Sequence, residues 1–94
     1  MLESITCDKL KNGVDGVIID IRSNDKYKDS HILYAINIPF EQLLINHKKY
    51  LNQYDKYYIY CQKGFKSKKL CMILKRLGYN VININGGYDA WKIG

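Results

Sequence analysis

Cysteine is scarce and odd in number: Cys7, Cys61 and Cys71, with no two spaced C-x-x-C. That argues against a disulfide framework and against a zinc site, so reduced thiols and a cytoplasmic setting are expected, with no metal and no cofactor. Long apolar runs are missing too. No stretch approaches the ~20 apolar residues of a membrane span, and a membrane partner is not expected. The opening MLESITCDKL places Glu3 and Asp8 where a secretory leader needs an apolar core. Acidic residues are few: 9, against 15 lysines and arginines, for a net charge of +6. Such an excess speaks first to solubility. The cations are spread along the chain and no nucleic-acid motif is present, so a small anion drawn to a local cluster fits better than nucleic acid. Internal repeats, linkers and low-complexity segments are also absent. The one proline, Pro39, stands where it can open a helix, because its missing N–H costs little there.

Apolar residues, by contrast, are plentiful. They make up 47% of the 94 residues, enough for one packed core and a single domain over 1–94. VIID (Val17 to Asp20), YYIY (Tyr57 to Tyr60) and VINI (Val81 to Ile84) are β-branched or aromatic runs that predict buried strands. AINI (Ala35 to Ile38) predicts a fourth, and ESIT near the N-terminus a weaker fifth. Leu70, Ile73, Leu74 and Leu77 fall on one helical face, with Ser67 placed to cap its start and Gly78 its end. Phe40, Leu43, Leu44 and Leu51 predict another helix, and shorter ones are expected over Cys7–Asn12 and Asn24–Lys28. Strands alternating with helices predict an α/β domain with a mostly parallel sheet, in which ligands bind beyond the carboxyl ends of the strands.

Cys61 falls at such an end, between the YYIY run and a helix. The loop Cys61-Gln62-Lys63-Gly64-Phe65-Lys66 must turn the chain from strand to helix before Ser67. Gly64 permits a positive φ in that turn. A tight turn of this kind aims backbone N–H groups inward, and the following helix adds its unpaired first-turn N–H groups and the positive end of its dipole. Thiols in such settings ionise at roughly 3.5–7.5, against ~8.5 for a free thiol. Lys63 and Lys66 add positive charge, so no histidine base is required. The alternative is a small buried thiol that closes a strand and does nothing else.

IDIRSNDKYKDSHILYAINIP (Ile19 to Pro39), YCQKGFKS (from Tyr60) and LGYNVININGGYDAW (to Trp91) together resemble the rhodanese domain family. Its pattern runs D-x-R, G-H-I, I-P, then C-x-x-G-x-R-S and a later G-G with a tryptophan. The resemblance covers nearly the whole chain. It implies a three-layer α/β/α fold with a five-stranded parallel sheet. It also implies a thiosulfate sulfurtransferase-like enzyme, in which Cys61 is catalytic and carries a persulfide. Gln62, Lys63, Gly64, Phe65, Lys66 and Ser67 would form the substrate-binding loop. Asp20 and Arg22 match D-x-R and would support that loop. The implied partners are a small anionic sulfur donor and a cyanide or thiol acceptor, a protein thiol included. A six-residue loop suits sulfur better than a phosphoryl group, which sets the phosphatase or arsenate reductase alternative behind sulfur transfer. A non-catalytic binding module is the other alternative, and it has no need of a thiol. His31 matches G-H-I and is expected to pack and hydrogen-bond locally. His47 has no evident charged partner. Gly86 and Gly87 match G-G and would let the backbone pass close to the loop. Trp91 is expected as a core anchor, and Cys7 and Cys71 as packing residues. Three departures stand out: Lys66 in place of arginine, which loses the planar fork, Ser30 in place of the glycine before His31, and Leu33-Tyr34 in place of a P-G pair.

Overall fold

The computed structural model describes residues 2–93; Met1 and Gly94, the two ends of the expected 1–94 domain, lie outside the described residues. Five strands form one sheet: β1 (Ser4–Ile5), β2 (Val17–Asp20), β3 (Ile36–Asn37), β4 (Lys56–Tyr60) and β5 (Asn80–Ile84). Their order is β1-β5-β4-β2-β3, and every pairing is parallel. The helices are α1 (Cys7–Leu10), α2 (Asn24–Asp29), α3 (Phe40–Ile45), α4 (His47–Tyr50), α5 (Phe65–Arg76) and α6 (Gly87–Ile93).

The near-continuous apolar runs follow from burial of both sheet faces. Successive side chains alternate across the sheet. Ile19, Tyr57, Ile59 and Val81 therefore pack on one side against Leu43 of α3 and Leu70, Cys71 and Leu74 of α5. Ile18, Tyr58, Tyr60, Ile82 and Ile84 pack on the other against Cys7 and Leu10 of α1. Helices on both faces make the three-layer α/β/α arrangement.

The topology decides where a ligand can enter. From β2 the chain moves outward to the edge strand β3; from β4 it moves the opposite way to β5. Loops that diverge from adjacent strands leave a crevice beyond their carboxyl ends, the usual ligand position in such sheets. Asp20 ends β2 and Cys61 follows β4, and Asp20 lies opposite Tyr60 in the register.

Several expected elements differ in detail. The helix expected over Phe40 to Leu51 is two short helices, because Asn46 leaves helical geometry at φ −112° and ψ 32°. The helix expected to begin at Ser67 begins at Phe65, with Gly64 as its N-cap at φ 99°. Ser67 is thus not a cap; it is fully buried in the first turn of α5. Gly78 does follow the helix with φ 98°, and its N–H bonds the Lys75 carbonyl at 3.0 Å. The AINI strand shrinks to Ile36–Asn37, and α6 was not anticipated by the sequence patterns.

Candidate active site

The turn after β4 is built around sulfur. Gly64, in left-handed geometry, folds the chain back so that its own N–H points at Cys61 Sγ, at 3.1 Å. The N–H of Ser67 reaches the same sulfur at 3.3 Å. The Ser67 amide can do so because first-turn amides have no intrahelical carbonyl to bond. The Cys61 thiol in turn lies 3.3 Å from Ser67 Oγ, as a donor to it. Ser67 has one proton to give. Its 2.6 Å contact to Asn83 Oδ1 is shorter than its 3.2 Å contact to the Gly64 carbonyl, so the hydroxyl lone pairs are left for the sulfur side.

The outer side of the turn is clamped by α6. The Tyr88 N–H donates to the Cys61 carbonyl at 2.9 Å, and the Asp89 N–H donates to the Gln62 carbonyl at 3.0 Å. This approach needs glycine: a methyl group on Gly87, which has φ 60°, would run into the Cys61 and Gln62 carbonyl oxygens. Gly86 also lies against the loop, since a methyl on Gly64 would meet the Gly86 nitrogen at 3.0 Å.

A buried charge network holds the loop from the β2 side. Asp20 is fully buried and the Arg22 side chain is 5% exposed. Arg22 donates from Nη2 to Asp20 Oδ2 at 2.7 Å, from Nε to both carboxylate oxygens at 3.1 Å, and from Nη1 to Gln62 Oε1 at 3.1 Å. Nη2 also donates to the Ser30 carbonyl at 2.6 Å, and the guanidinium lies 4.3 Å from the Tyr88 ring centre. Burial works against the guanidinium's proton, but Asp20 outweighs it and Arg22 ends above its ordinary range. The Tyr60 hydroxyl gives Asp20 Oδ2 a further bond at 2.6 Å, and burial together with that carboxylate pushes the phenol above its ordinary range. Breaking one half of such a buried pair costs about 3–5 kcal/mol. Gln62 completes the chain: its Nε2 donates to Asp89 Oδ1, and this bond, chiefly, holds the Asp89 carboxyl below its ordinary range.

Cys61 opens onto a cleft of about 600 Å³, walled by Ile21, Phe40 and Phe65 and rimmed by Lys26, Lys63 and Lys66. Its described lining contains no carboxylate, and none of the three lysines forms an ion pair among the described residues. The sulfur lies at the floor, on a residue 5% exposed. The chemistry on offer is a nucleophilic sulfur, donors aimed at it, and cations at the entrance for an anionic reactant. No group of three or more His, Cys, Asp or Glu side chains among the described residues could hold a metal. Among the described residues no helix is long and apolar enough to cross a membrane.

The structure thus brings together Cys61, Gln62, Lys63, Gly64, Phe65, Lys66, Ser67 and, through Gln62, Asp20 and Arg22. It keeps the histidines apart from them. His31 stacks on Tyr27 at 3.9 Å and its Nδ1 contacts the Tyr27 carbonyl at 2.8 Å. His47 contacts the Tyr79 hydroxyl at 2.8 Å. Trp91 is half-buried at the edge of the α1 side, under the Lys11 ammonium, rather than a deep anchor. Cys71 is fully buried inside α5, and burial pushes its thiol up to about 12. Burial likewise raises the Cys7 thiol. Sequence reasoning missed Asn83, Asp89, Tyr60 and Lys26. Only Asn83 left a signal, an asparagine inside an otherwise apolar strand.

Comparison with known proteins gives a consistent result. A model of the rhodanese-like domain matches residues 6–93. The chain is 30% identical over 82 residues to the thiosulfate sulfurtransferase GlpE of Coxiella burnetii, covering 83% of this chain and 73% of that one. It is also 30% identical over 82 residues to the probable molybdopterin-synthase adenylyltransferase of Porphyra purpurea, covering 86% of this chain. It spans only 22% of that protein, and 20% of its counterpart in Pyropia yezoensis. Among solved structures, a rhodanese-related protein of Thermoplasma volcanium superposes with a TM-score of 0.87 at 27% identity, over 97% of this chain and 91% of that one.

Proposed function

The chain belongs to the rhodanese-like domain family, and on that premise we propose that it is a sulfurtransferase moving a sulfane sulfur from an anionic donor such as thiosulfate to a thiophilic acceptor through a persulfide on Cys61. The observation that carries this reading is the cradle itself: two backbone N–H groups directed at one sulfur, on the floor of a lysine-rimmed cleft.

Lys26, Lys63 and Lys66 attract the donor dianion. The Cys61 thiolate attacks the outer sulfur of thiosulfate; the new S–S bond forms as the old one breaks, and sulfite leaves with the electron pair of the old bond. One negative charge remains on the outer persulfide sulfur, and donors fixed before the reaction stabilise such charge without reorganising. In the second half-reaction cyanide or a thiolate attacks that outer sulfur, and Cys61 leaves as thiolate. Ser67 can assist by turning its hydroxyl from Asn83 to the sulfur when the thiol proton is gone. Asp20, Arg22 and Gln62 act on the loop rather than on the reactant.

Two half-reactions through a covalent intermediate give ping-pong kinetics. Thiocyanate formation from thiosulfate and cyanide, with both concentrations varied, is expected to give parallel double-reciprocal lines, and Cys61→Ser is expected to fall to the uncatalysed rate. Intersecting lines, or an active Cys61→Ser variant, would overturn the reading.

A further inference from the structure

The positive charge of this protein has an address. Between Cys61 and Tyr79 lie six cations, Lys63, Lys66, Lys68, Lys69, Lys75 and Arg76, and no acidic residue. The rest of the chain carries nine cations and nine acids, so the whole excess of +6 sits on the active-site loop and α5. α5 buries Ser67, Leu70, Cys71 and Leu74, which turns the opposite face to solvent. Along that outer face the cations alternate with apolar side chains: Phe65 is 72% exposed, Met72 45%, Ile73 40% and, just past the helix end, Leu77 47%. Phe65, Lys69, Met72 and Arg76 fall at i, i+4, i+7 and i+11, one stripe of the helix. The stripe begins at the cleft, because Phe65 lines it with Cys61.

We infer that the outer face of α5, continuous with the rim of the Cys61 cleft, is the docking surface for an acidic protein partner that presents apolar side chains to Phe65 and Met72 and delivers its acceptor thiol to Cys61. The thiol delivery rests on the sulfur-transfer reading above; the docking surface does not. A dianion the size of thiosulfate needs the lysines at the rim but has no use for cations and apolar groups on the later turns of the helix. At ~1.5 Å per residue the twelve residues of α5 span about 18 Å, room for one helix or strand of a partner. Charge complementarity selects an acidic one and sets its register, while the interleaved apolar side chains supply burial that charge alone does not. A lipid surface would meet the same cations and apolar side chains, but it brings no thiol to the Cys61 cleft from which the stripe begins. Phe65, the single exposed aromatic of the stripe, makes no stacking platform for successive bases. After docking, the partner's thiolate attacks the outer persulfide sulfur. The Cys61–sulfur bond breaks, Cys61 leaves as thiolate, and the partner carries the sulfur away as its own persulfide.

The test uses short fluorescein-labelled synthetic peptides, with serine in place of the acceptor thiol so that binding is read without chemistry. One peptide combines glutamate and leucine, a second glutamate and serine, a third lysine and leucine. Anisotropy is expected to show the glutamate–leucine peptide binding at least about tenfold tighter than either other peptide, and less tightly as salt is raised. Amide shifts on binding are expected along Lys63 to Leu77. The double variant Lys68→Glu/Lys69→Glu is expected to weaken binding by about tenfold or more while still acquiring sulfur from thiosulfate. Equal binding of the three peptides, shifts elsewhere, or unchanged binding in the double variant would overturn the proposal. Tighter binding to phosphatidylglycerol vesicles or to duplex DNA would overturn it as well. Persulfide formation on the unmodified protein is measured in parallel. Peptide binding without any persulfide would leave the surface standing and remove the sulfur-transfer reading. A persulfide without peptide binding would do the reverse.

Discussion

Cys61 and Cys71 are both buried and belong to the same apolar cluster, on the same side of the same sheet. Cys71 sits within α5, sealed among apolar side chains, and burial drives its thiol up to about 12, with the nearby Cys61 adding to the effect. Cys61 sits at a strand end, where two backbone N–H groups meet its sulfur and a lysine-rimmed cleft opens above it. Burial by itself therefore makes an inert thiol, and burial combined with fixed donors and a route to solvent makes a candidate site. The difference lies in the backbone: Gly64 at φ 99° and the first turn of a helix, against the hydrogen-bonded middle of that helix.

Breaking the backbone should erase the difference most completely. Gly87→Ala places a methyl against the Cys61 and Gln62 carbonyls at a residue with φ 60°. The loop must move, and a loss of about a hundredfold in kcat/KM for thiosulfate is expected, equal to ~2.7 kcal/mol of transition-state stabilisation. Thermal unfolding run beside it separates loop displacement from unfolding. A folded Gly87→Ala protein with full activity would show that the clamp from α6 does not set the sulfur cradle.

A milder break acts through Gln62, which accepts from Arg22 and donates to Asp89. Gln62→Glu keeps the acceptor, removes the donor and sets two carboxylates together, so a loss of about tenfold in kcat is expected. Adding Asp89→Asn restores a donor to that contact and is expected to recover activity to within about threefold of wild type. A double variant no better than Gln62→Glu alone would dissolve the proposed clamp.

The smallest effect sharpens the Cys71 side of the comparison. A thiol raised from 9.0 to about 12 in the fold stays protonated there while the unfolded chain ionises. Its contribution to stability is complete below pH 9 and is lost as pH rises through about 12. Tyr58, raised to about 12 by burial and by its bond to Asp15, acts in an overlapping window. Urea unfolding from pH 8 upward is thus expected to show falling stability. Cys71→Ala is expected to flatten that fall, to cost about 1–2 kcal/mol at neutral pH, and to leave sulfur transfer intact. Loss of transfer in Cys71→Ala would show that the two thiols act together.

Much of this was legible in the residues because the causes are local. VIID, YYIY and VINI are buried on both faces, and the pattern for that is a run of β-branched and aromatic side chains. The turn could be placed because the YYIY run ends at Cys61, a helical periodicity follows Ser67, and Gly64 between them permits a positive φ. What escaped is long-range or subtle. α6 escaped because it begins at Gly87 without a capping side chain, and the Gly-Gly pair signals only the close backbone approach expected of it, not a helix start. Asp89 matters only because Gln62 reaches it across the fold. Asn46 interrupts one apolar periodicity by a single residue, which no pattern of Phe40, Leu43, Leu44 and Leu51 reveals. Ser67 looked like a cap because serine commonly is one; its position beneath the sulfur depends on where Gly64 ends the turn.

The most direct measurement is peptide-mapping mass spectrometry after thiosulfate treatment of the native protein, with all three cysteines scored in the same digest. A gain of one sulfur atom on the peptide carrying Cys61, and none on those carrying Cys7 or Cys71, is the expected result. Sulfur spread over the three thiols, or absent from Cys61, would contradict the claim that the Gly64 and Ser67 amides single out one buried sulfur for chemistry.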